Sequence, residues 1–394
     1  MEKRVSVIVT NKTTKVRKQL HIHHDIAFSI LSKLSIKPLK RFECVCKSWS
    51  LLSDNPYFMK TYRKSLFTKY HSYYDDACVL LHPLYNSYHN HRFGLYPLYD
   101  ERFVSNVKID KPYCDCGFSI LGSGSVHGIF CLSFIYEKDI ILWNPCTKEF
   151  KLIPRGINHR KCYQKGYLNW GFGYDSVDDD YKVTCIYQPP VEDEEVYCEP
   201  LVCEIYSLRN NFWKKFDVDK KHSLNFWSNE QVYINGLSHR VCKVATHKCN
   251  ESYVLSFDWH REVFTTTPIP FDIEDIIDFL NGWRHLVLLN GSTALILNST
   301  RTSTFHIYIL GEFGVKESWT KIFTIESFPN LKYPIGMGKR SDMLLKKKDG
   351  GLVWFDLVTQ KITDLNITTK NVSCNIIIHK ENPISLVAYQ GKSI

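Results

Sequence analysis

Two hydrophobic periods divide this chain. Near its start Ile22, Ile26, Ile30 and Leu34 recur every fourth residue, and Ala27 and Leu31 widen the same stripe. That spacing predicts an amphipathic helix. Pro38 suits the first turn of a second helix, where its missing N–H would go unpaired in any case. Leu39, Phe42 and Val45 then fall on one face, and Pro56, behind Asp54 and Asn55, marks a further helix start with a capping residue in place. A module of about forty residues buries too little apolar surface to be stable alone, so part of the stripe is expected to dock on something else. Periodicity leaves one alternative open, an ordinary helical subdomain packed on its own chain.

From residue 118 onward the pattern changes to short runs of β-branched and aromatic residues separated by turn residues, as at 128–134, 140–143, 181–187, 203–208, 253–257, 285–289, 305–310 and 352–356. The one helix-like piece, 273–280, is short. A weak repeat is visible: an aromatic strand, a polar turn and a second strand, at 141–154, 203–216, 254–268 and 355–365. A propeller blade takes about 40–50 residues, so some 300 residues of this kind predict a β-propeller of about six or seven blades, closed so that no sheet edge stays open. A two-sheet sandwich array has similar strand content and is the alternative. Ring closure is expected from residues 383–389, pairing with Ala77–Leu81 or Phe118–Leu121. The expected organisation is a basic, disordered tail at 1–20, a helical module at 21–66, a connecting segment with the first strands at 67–117 and the β-domain at 118–394.

Composition narrows this picture. The formal net charge is +9, and residues 1–20 hold six basic side chains against Glu2 alone. A solvated tail accounts for that; nuclear import or transient nucleic-acid contact is the sharper alternative. Fourteen cysteines lie mostly singly in apolar strands, as at Cys131, Cys185, Cys203 and Cys242, and are expected to be small buried hydrophobes in a reducing compartment. Without a signal-peptide pattern or a membrane-length apolar run, a soluble protein of the cytoplasm and/or nucleus is expected.

Specific residues then carry a resemblance. Ile30-Leu31-Ser32-Lys33-Leu34, Lys37-Pro38-Leu39-Lys40-Arg41-Phe42, Cys44-Val45-Cys46-Lys47-Ser48-Trp49 and Asp54-Asn55-Pro56-Tyr57-Phe58 together resemble an F-box, the module that hooks a protein onto a Skp-family adaptor and through it a cullin. Trp143-Asn144-Pro145-Cys146-Thr147, Gly171-Phe172-Gly173-Tyr174-Asp175, the stretch 317–321 and Gly350-Gly351-Leu352-Val353-Trp354 resemble the F-box-associated interaction domain of plant F-box proteins over about 118–387. Only one Gly-Gly pair is present, so the likeness is kelch-like rather than kelch. The resemblance implies a small all-α F-box followed by an all-β, kelch-like propeller. It implies a substrate-recognition subunit of an SCF-type ubiquitin ligase, non-catalytic and without cofactor or metal. Adaptor contacts would come from Ile22, Ile26, Ile30, Leu31, Leu34, Leu39, Val45 and Trp49, some of which must instead hold the module's own core. His23 and Ser35 stand where the family usually has proline, which raises the ordering cost of docking. The client is an unknown protein. A self-incompatibility-type receptor has the same domains, and a propeller enzyme of glycosidase or oxidase class with a helical appendage is the rival of a different kind. Neither a membrane nor a nucleic acid is an expected partner.

Candidate chemistry changes little. The glycines of Gly122-Ser123-Gly124 and Gly128 lead into a strand rather than a helix, which reads as a tight turn and not a phosphate loop. Cys44 and Cys46, or Cys114 and Cys116, are too close for ordinary zinc pairs. Asp175, Asp178, Asp179 and Asp180 could do acid–base work, but aspartates in a turn more often satisfy backbone N–H groups. Glu192, Asp193, Glu194 and Glu195 follow Pro189-Pro190 in an expected rim loop, where they would attract a basic client or simply stay solvated.

Overall fold

A computed structural model describes residues 22–34, 36–68, 77–83, 93–97, 107–109, 118–134, 139–156, 167–188, 202–216, 225–226, 231–245, 250–269, 284–299, 304–326, 330–338, 342–369, 372–379, 382 and 384–389. The tail at 1–20, the helix-like piece at 273–280 and the acidic run at 192–195 lie outside them. The chain divides into two compact units, Met1–Lys69 and Tyr70–Ile394.

The first unit is helical. It holds α1 (His24–Leu31), α2 (Ile36–Glu43), α3 (Lys47–Ser50), a 3₁₀ turn at Leu51–Asp54 and α4 (Pro56–Thr68). The Asn55 side chain caps α4, its Oδ1 accepting from the N–H groups of Tyr57 at 2.9 Å and Phe58 at 3.1 Å. Those two donors belong to the otherwise orphaned first turn.

The second unit is built of strands. They form six antiparallel sheets, five of four strands and one of five. The second sheet is Phe118–Val126, Ile129–Phe134, Ile140–Asn144 and Glu149–Leu152. The third is Tyr167–Asp175, Asp180–Gln188, Val202–Ser207 and Phe212–Phe216. In the fourth, Asn225–Phe226 and Val232–Ile234 both pair with Leu237–Ala245, followed by Asn250–Asp258 and Val263–Pro268. The fifth holds Arg284–Leu289, Ser292–Ser299, Thr304–Leu310 and Trp319–Glu326, and the sixth Leu331–Met337, Asp342–Lys347, Gly351–Asp356 and Ile362–Thr368. Burial explains the two sequence patterns within a sheet. Ile140–Asn144 is buried at every position and reads as a continuous apolar run, whereas the edge strand Glu149–Leu152 alternates.

The first sheet closes the ring. Val372–Ile378 pairs with Ala77–Pro83, next to Phe93–Pro97 and Val107–Ile109. Strands from successive sheets then pack in a circuit: 372–378 on 118–126, 118–126 on 167–175, 167–175 on 237–245, and onward through 284–289 and 331–337 back to 372–378. Joining the two ends of the domain in one sheet removes the open ends that a linear array of sheets would leave. Closure at Ala77–Leu81 matches one of the two expected partners, but the closing strand is not 383–389. Leu386–Tyr389 forms a 3₁₀ turn instead.

That turn is part of a latch. Asn382 is 1% exposed, and its Nδ2 donates to the His127 carbonyl at 3.0 Å and the Tyr389 hydroxyl at 3.0 Å. Asn144 of the second sheet donates to the carbonyls of Asn382 at 2.7 Å and Ile384 at 2.9 Å. Glu149 accepts from Ser385 and from the Leu386 N–H. A strand could not place these side chains so, because they need the chain to turn across the end of the second sheet.

The weak sequence repeat is one turn used again and again. Asn144, Asp258 and Asp356 each accept, through Oδ1, the N–H groups two and three residues ahead. Ser207 does the same for Asn210 alone. The residue four after each has positive φ: Lys148 at 59°, Asn211 at 55°, Glu262 at 58° and Gln360 at 56°. All four turns join the last two strands of a sheet. Asp175 builds the same turn between the first two strands of the third sheet, accepting from Val177 and Asp178, with Asp179 at φ 58°.

Candidate functional site

The most unusual surface lies on the helical unit. Helix α1 turns Ala27 and Leu31 inward, each 2% exposed, and they share a core with Leu39, Leu52, Phe58 and Tyr62. Phe28 stacks on Tyr57 at 5.6 Å and meets Phe58 edge-on at 5.1 Å. The other face of α1 is apolar too. Ile22, Ile26 and Ile30 are 47%, 55% and 52% exposed. Beyond it Phe42, Val45, Leu51 and Tyr57 are also exposed, with Phe42 edge-on to Trp49 at 5.7 Å. Fully burying an isoleucine stabilises by about 1.5–3 kcal/mol, so each half-exposed one leaves about 1 kcal/mol for a partner to recover.

The structure sorts the eight sequence-derived positions. Ile22, Ile26, Ile30 and Val45 face outward, and Leu34 and Trp49 are half-buried. Leu31 and Leu39 belong to the module's own core. A four-residue repeat places Leu31 beside Ile30 in the pattern, but one step along a helix turns about 100°, enough to move a side chain from the outer face to the inner. Leu51 and Tyr57 escape sequence reasoning because they sit at a 3₁₀ turn and a helix start, where no periodicity marks them. Phe42 shares the face already read for Leu39 and Val45, and that spacing could have found it.

Local chemistry frames this face. His23 caps α1, its Nδ1 accepting from the Asp25 N–H at 3.4 Å, so it supplies at the helix start an interaction that proline could not. The Ser48 hydroxyl lies 3.2 Å from Cys46 Sγ, and this contact holds the exposed Cys46 thiol below its ordinary range.

The β-domain concentrates charge at one seam. Lys182, 6% exposed, reaches Asp175 at 2.8 Å and Glu262 at 3.0 Å, and donates to the Trp259 carbonyl at 2.9 Å. Burial alone would raise the Asp175 carboxyl, yet hydrogen bonds from Lys182 and the turn hold it below the ordinary range. Burial would lower Lys182, and its two carboxylate partners raise it instead. Asp175, Asp178 and His260 also lie close enough to share a metal ion. The ammonium of Lys182 already neutralises that position, so the acidic turn is a staple between the third and fourth sheets. A cavity of about 20 Å³ beside Gly171, Gln231, Ser238 and Arg240 has room for one water molecule. Cys131, Cys185, Cys203 and Cys242 are buried as expected, and burial pushes the Cys242 thiol up to about 12.

Comparison with known proteins decides the family. Residues 120–390 match the F-box associated beta propeller domain, and residues 20–61 match the F-box domain. This chain belongs to the plant F-box proteins that carry an F-box-associated propeller. A putative F-box protein of Arabidopsis thaliana is 27% identical over 320 residues, 78% of this chain and 68% of its own. An F-box/kelch-repeat protein of the same plant is 26% identical, covering 82% of this chain and 84% of its own. F-box protein CPR1, also from Arabidopsis thaliana, is 27% identical over 62% of this chain and 63% of its own. Among solved structures, one from a nidogen/laminin complex covers 76% of this chain and 97% of its own at 12% identity and a TM-score of 0.41, too loose a likeness to define the fold. In this F-box protein the helical unit is thus the F-box and the ring of sheets the propeller. No described helix is long and apolar enough to cross a membrane.

Proposed function

We propose that this F-box protein is the substrate-recognition subunit of an SCF-type ubiquitin ligase. The F-box docks on a Skp-family adaptor and through it a cullin, while the propeller, whose six sheets serve as its blades, holds a client protein. The chain supplies no catalytic group. Ubiquitin reaches the client from a separate enzyme, and tethering raises the effective concentration of client lysines. The cytoplasm and the nucleus are where such a complex would work. The reading rests on one observation above the others: α1 presents Ile22, Ile26 and Ile30 half-exposed in a row while its opposite face is packed. A small unit gains nothing from that arrangement unless a partner covers it. Surface association of the full chain with a purified Skp-family adaptor tests it. Specific, saturable binding that Ile26→Asp abolishes supports docking, and its absence for the unaltered chain rejects it. The acidic run 192–195 remains the proposed client loop, tested by reversing its charge and measuring association with a client recovered under proteasome inhibition.

A further inference from the structure

Polar side chains converge on the cavity between the third and fourth sheets. On the third sheet Thr184 stands opposite Gly171 in the ladder, and Asn169 lies two residues along the same face as Gly171. Thr184 and Asn169 line the cavity and are nearly buried, 4% and 7% exposed. Neither side chain has a hydrogen-bond partner among the described residues. Gly171 keeps the space open, because a Cβ there would run into the Thr184 hydroxyl and stand 3.5 Å from Gln231 Oε1. The fourth sheet brings a charge. Arg240, 7% exposed, lines the same cavity, and its Nη2 reaches across the seam to the Trp170 carbonyl and also lies 3.2 Å from Gln231 Oε1. Both are neutral oxygens. Gln231 is itself fixed, its Nε2 donating to the Phe172 carbonyl at 2.9 Å and to Ser238. Burial pulls the Arg240 guanidinium below its ordinary range. A negative charge beside it would act in the opposite direction.

We infer that this cavity is a site for one monatomic anion of the size of chloride, held by the Thr184 hydroxyl, the Asn169 amide and the Arg240 guanidinium. All three groups are hydrogen-bond donors, and one is a cation. A volume of about 20 Å³ admits a single particle about as large as water, which excludes phosphate, sulfate and carboxylates. Water fits the space as well, but it brings no charge to set against Arg240. Leu255 and Phe257 complete the wall, and against such a surface a bare anion is held only where charge and donors replace its water. The bound ion would join the third sheet to the fourth on the same seam as Lys182. Anything that binds the folded state alone stabilises it in proportion to its saturation, so the propeller's stability would depend on halide.

Thermal unfolding of the full chain in sodium chloride, bromide and gluconate at equal ionic strength tests this. With a dissociation constant of about 10 mM, chloride at about 0.2 M should raise the melting temperature by about 3 °C over gluconate, saturably, and bromide should match it. Thr184→Val removes one donor and should shrink that difference. Diffraction from crystals grown in bromide should show one anomalous scatterer among Thr184, Asn169 and Arg240. Equal melting in all three salts overturns the inference, and so does density in the cavity without a bromide signal, which is water. Bromide found on the surface alone, an adventitious ion only, overturns it too. A halide effect undiminished in Thr184→Val has its source elsewhere and counts against the site. The salt series and the diffraction need no variant, so a substitution that fails to fold does not blunt the test.

Discussion

The two halves of this F-box protein spend their apolar residues in opposite ways. The F-box holds a small core and leaves three isoleucines of one helix half-exposed. The propeller packs Phe130, Leu132, Ile141 and Trp143 at 3% exposure or less, joins its ends in one sheet, and ties the segment after the closing strand to the second sheet through Asn144 and Asn382. The propeller closes on itself, and the F-box is proposed to offer its outer face to a partner. Substitutions should therefore sort by region: in the propeller they cost stability, and on the outer F-box face they cost binding.

The largest stability loss is expected at Gly173→Ala. A Cβ there would overlap the ring of Trp259, which lies from the fourth sheet against the glycine-lined strand of the third. Both ring and backbone are buried, so overpacking should cost about 3 kcal/mol or more, read as a fall in denaturation midpoint. An unchanged midpoint would mean that this seam yields easily. Next comes Asn382→Ala. It strips the latch of donors to the His127 carbonyl and the Tyr389 hydroxyl and of the acceptor for the Ile384 N–H at 3.0 Å. Buried partners left unpaired should cost about 2–3 kcal/mol in denaturant unfolding. A loss below about 0.5 kcal/mol would show that the strand pairing at 372–378 closes the ring unaided.

These two sites show what sequence could and could not reveal. The strand-rich domain, the repeated turns and the capped start of α4 were legible, because each depends on residues within a few positions of one another. Asn144 and Asp258 announce their turns by type and spacing. The latch was not legible: Asn144 meets Asn382 across 238 residues, and no local pattern distinguishes a closing strand from an apolar segment that turns. Val372–Ile378 and residues 383–389 look alike in composition, and only long-range pairing separates them. Gly171 and Gly173 were visible as a family landmark, but their reason, the neighbouring Trp259, was not. In the F-box the period placed Ile22, Ile26 and Ile30 together without saying whether they face in or out.

A smaller effect sharpens the contrast through pH. Asp180 is 2% exposed, and burial pushes its carboxyl up to about 6 despite hydrogen bonds from Ser207 at 2.6 Å and the Arg209 N–H at 2.8 Å. An unfolded aspartate titrates near 3.9, so the folded state holds this proton more tightly. Its contribution to stability is full below about pH 4 and is lost as pH rises through about 6, roughly 3 kcal/mol in all. Asp175 has the opposite sign, its stability present above about pH 4 and lost below it as the carboxyl protonates. Asp180→Asn should remove the decline between pH 4 and 6 in denaturation measured across that range. The same decline in the variant would place its source elsewhere.

The central claim is that the half-exposed face of α1 exists for an adaptor and not for the fold. The direct measurement is paired: adaptor affinity and melting temperature for the full chain and for Ile26→Asp, Ile30→Asp and Leu31→Ala. The account predicts that the two outward substitutions weaken binding about a hundredfold or more with little change in melting, while Leu31→Ala destabilises the F-box by about 2–3 kcal/mol. Adaptor binding that survives Ile26→Asp and Ile30→Asp, or melting that falls as far for these as for Leu31→Ala, would contradict it.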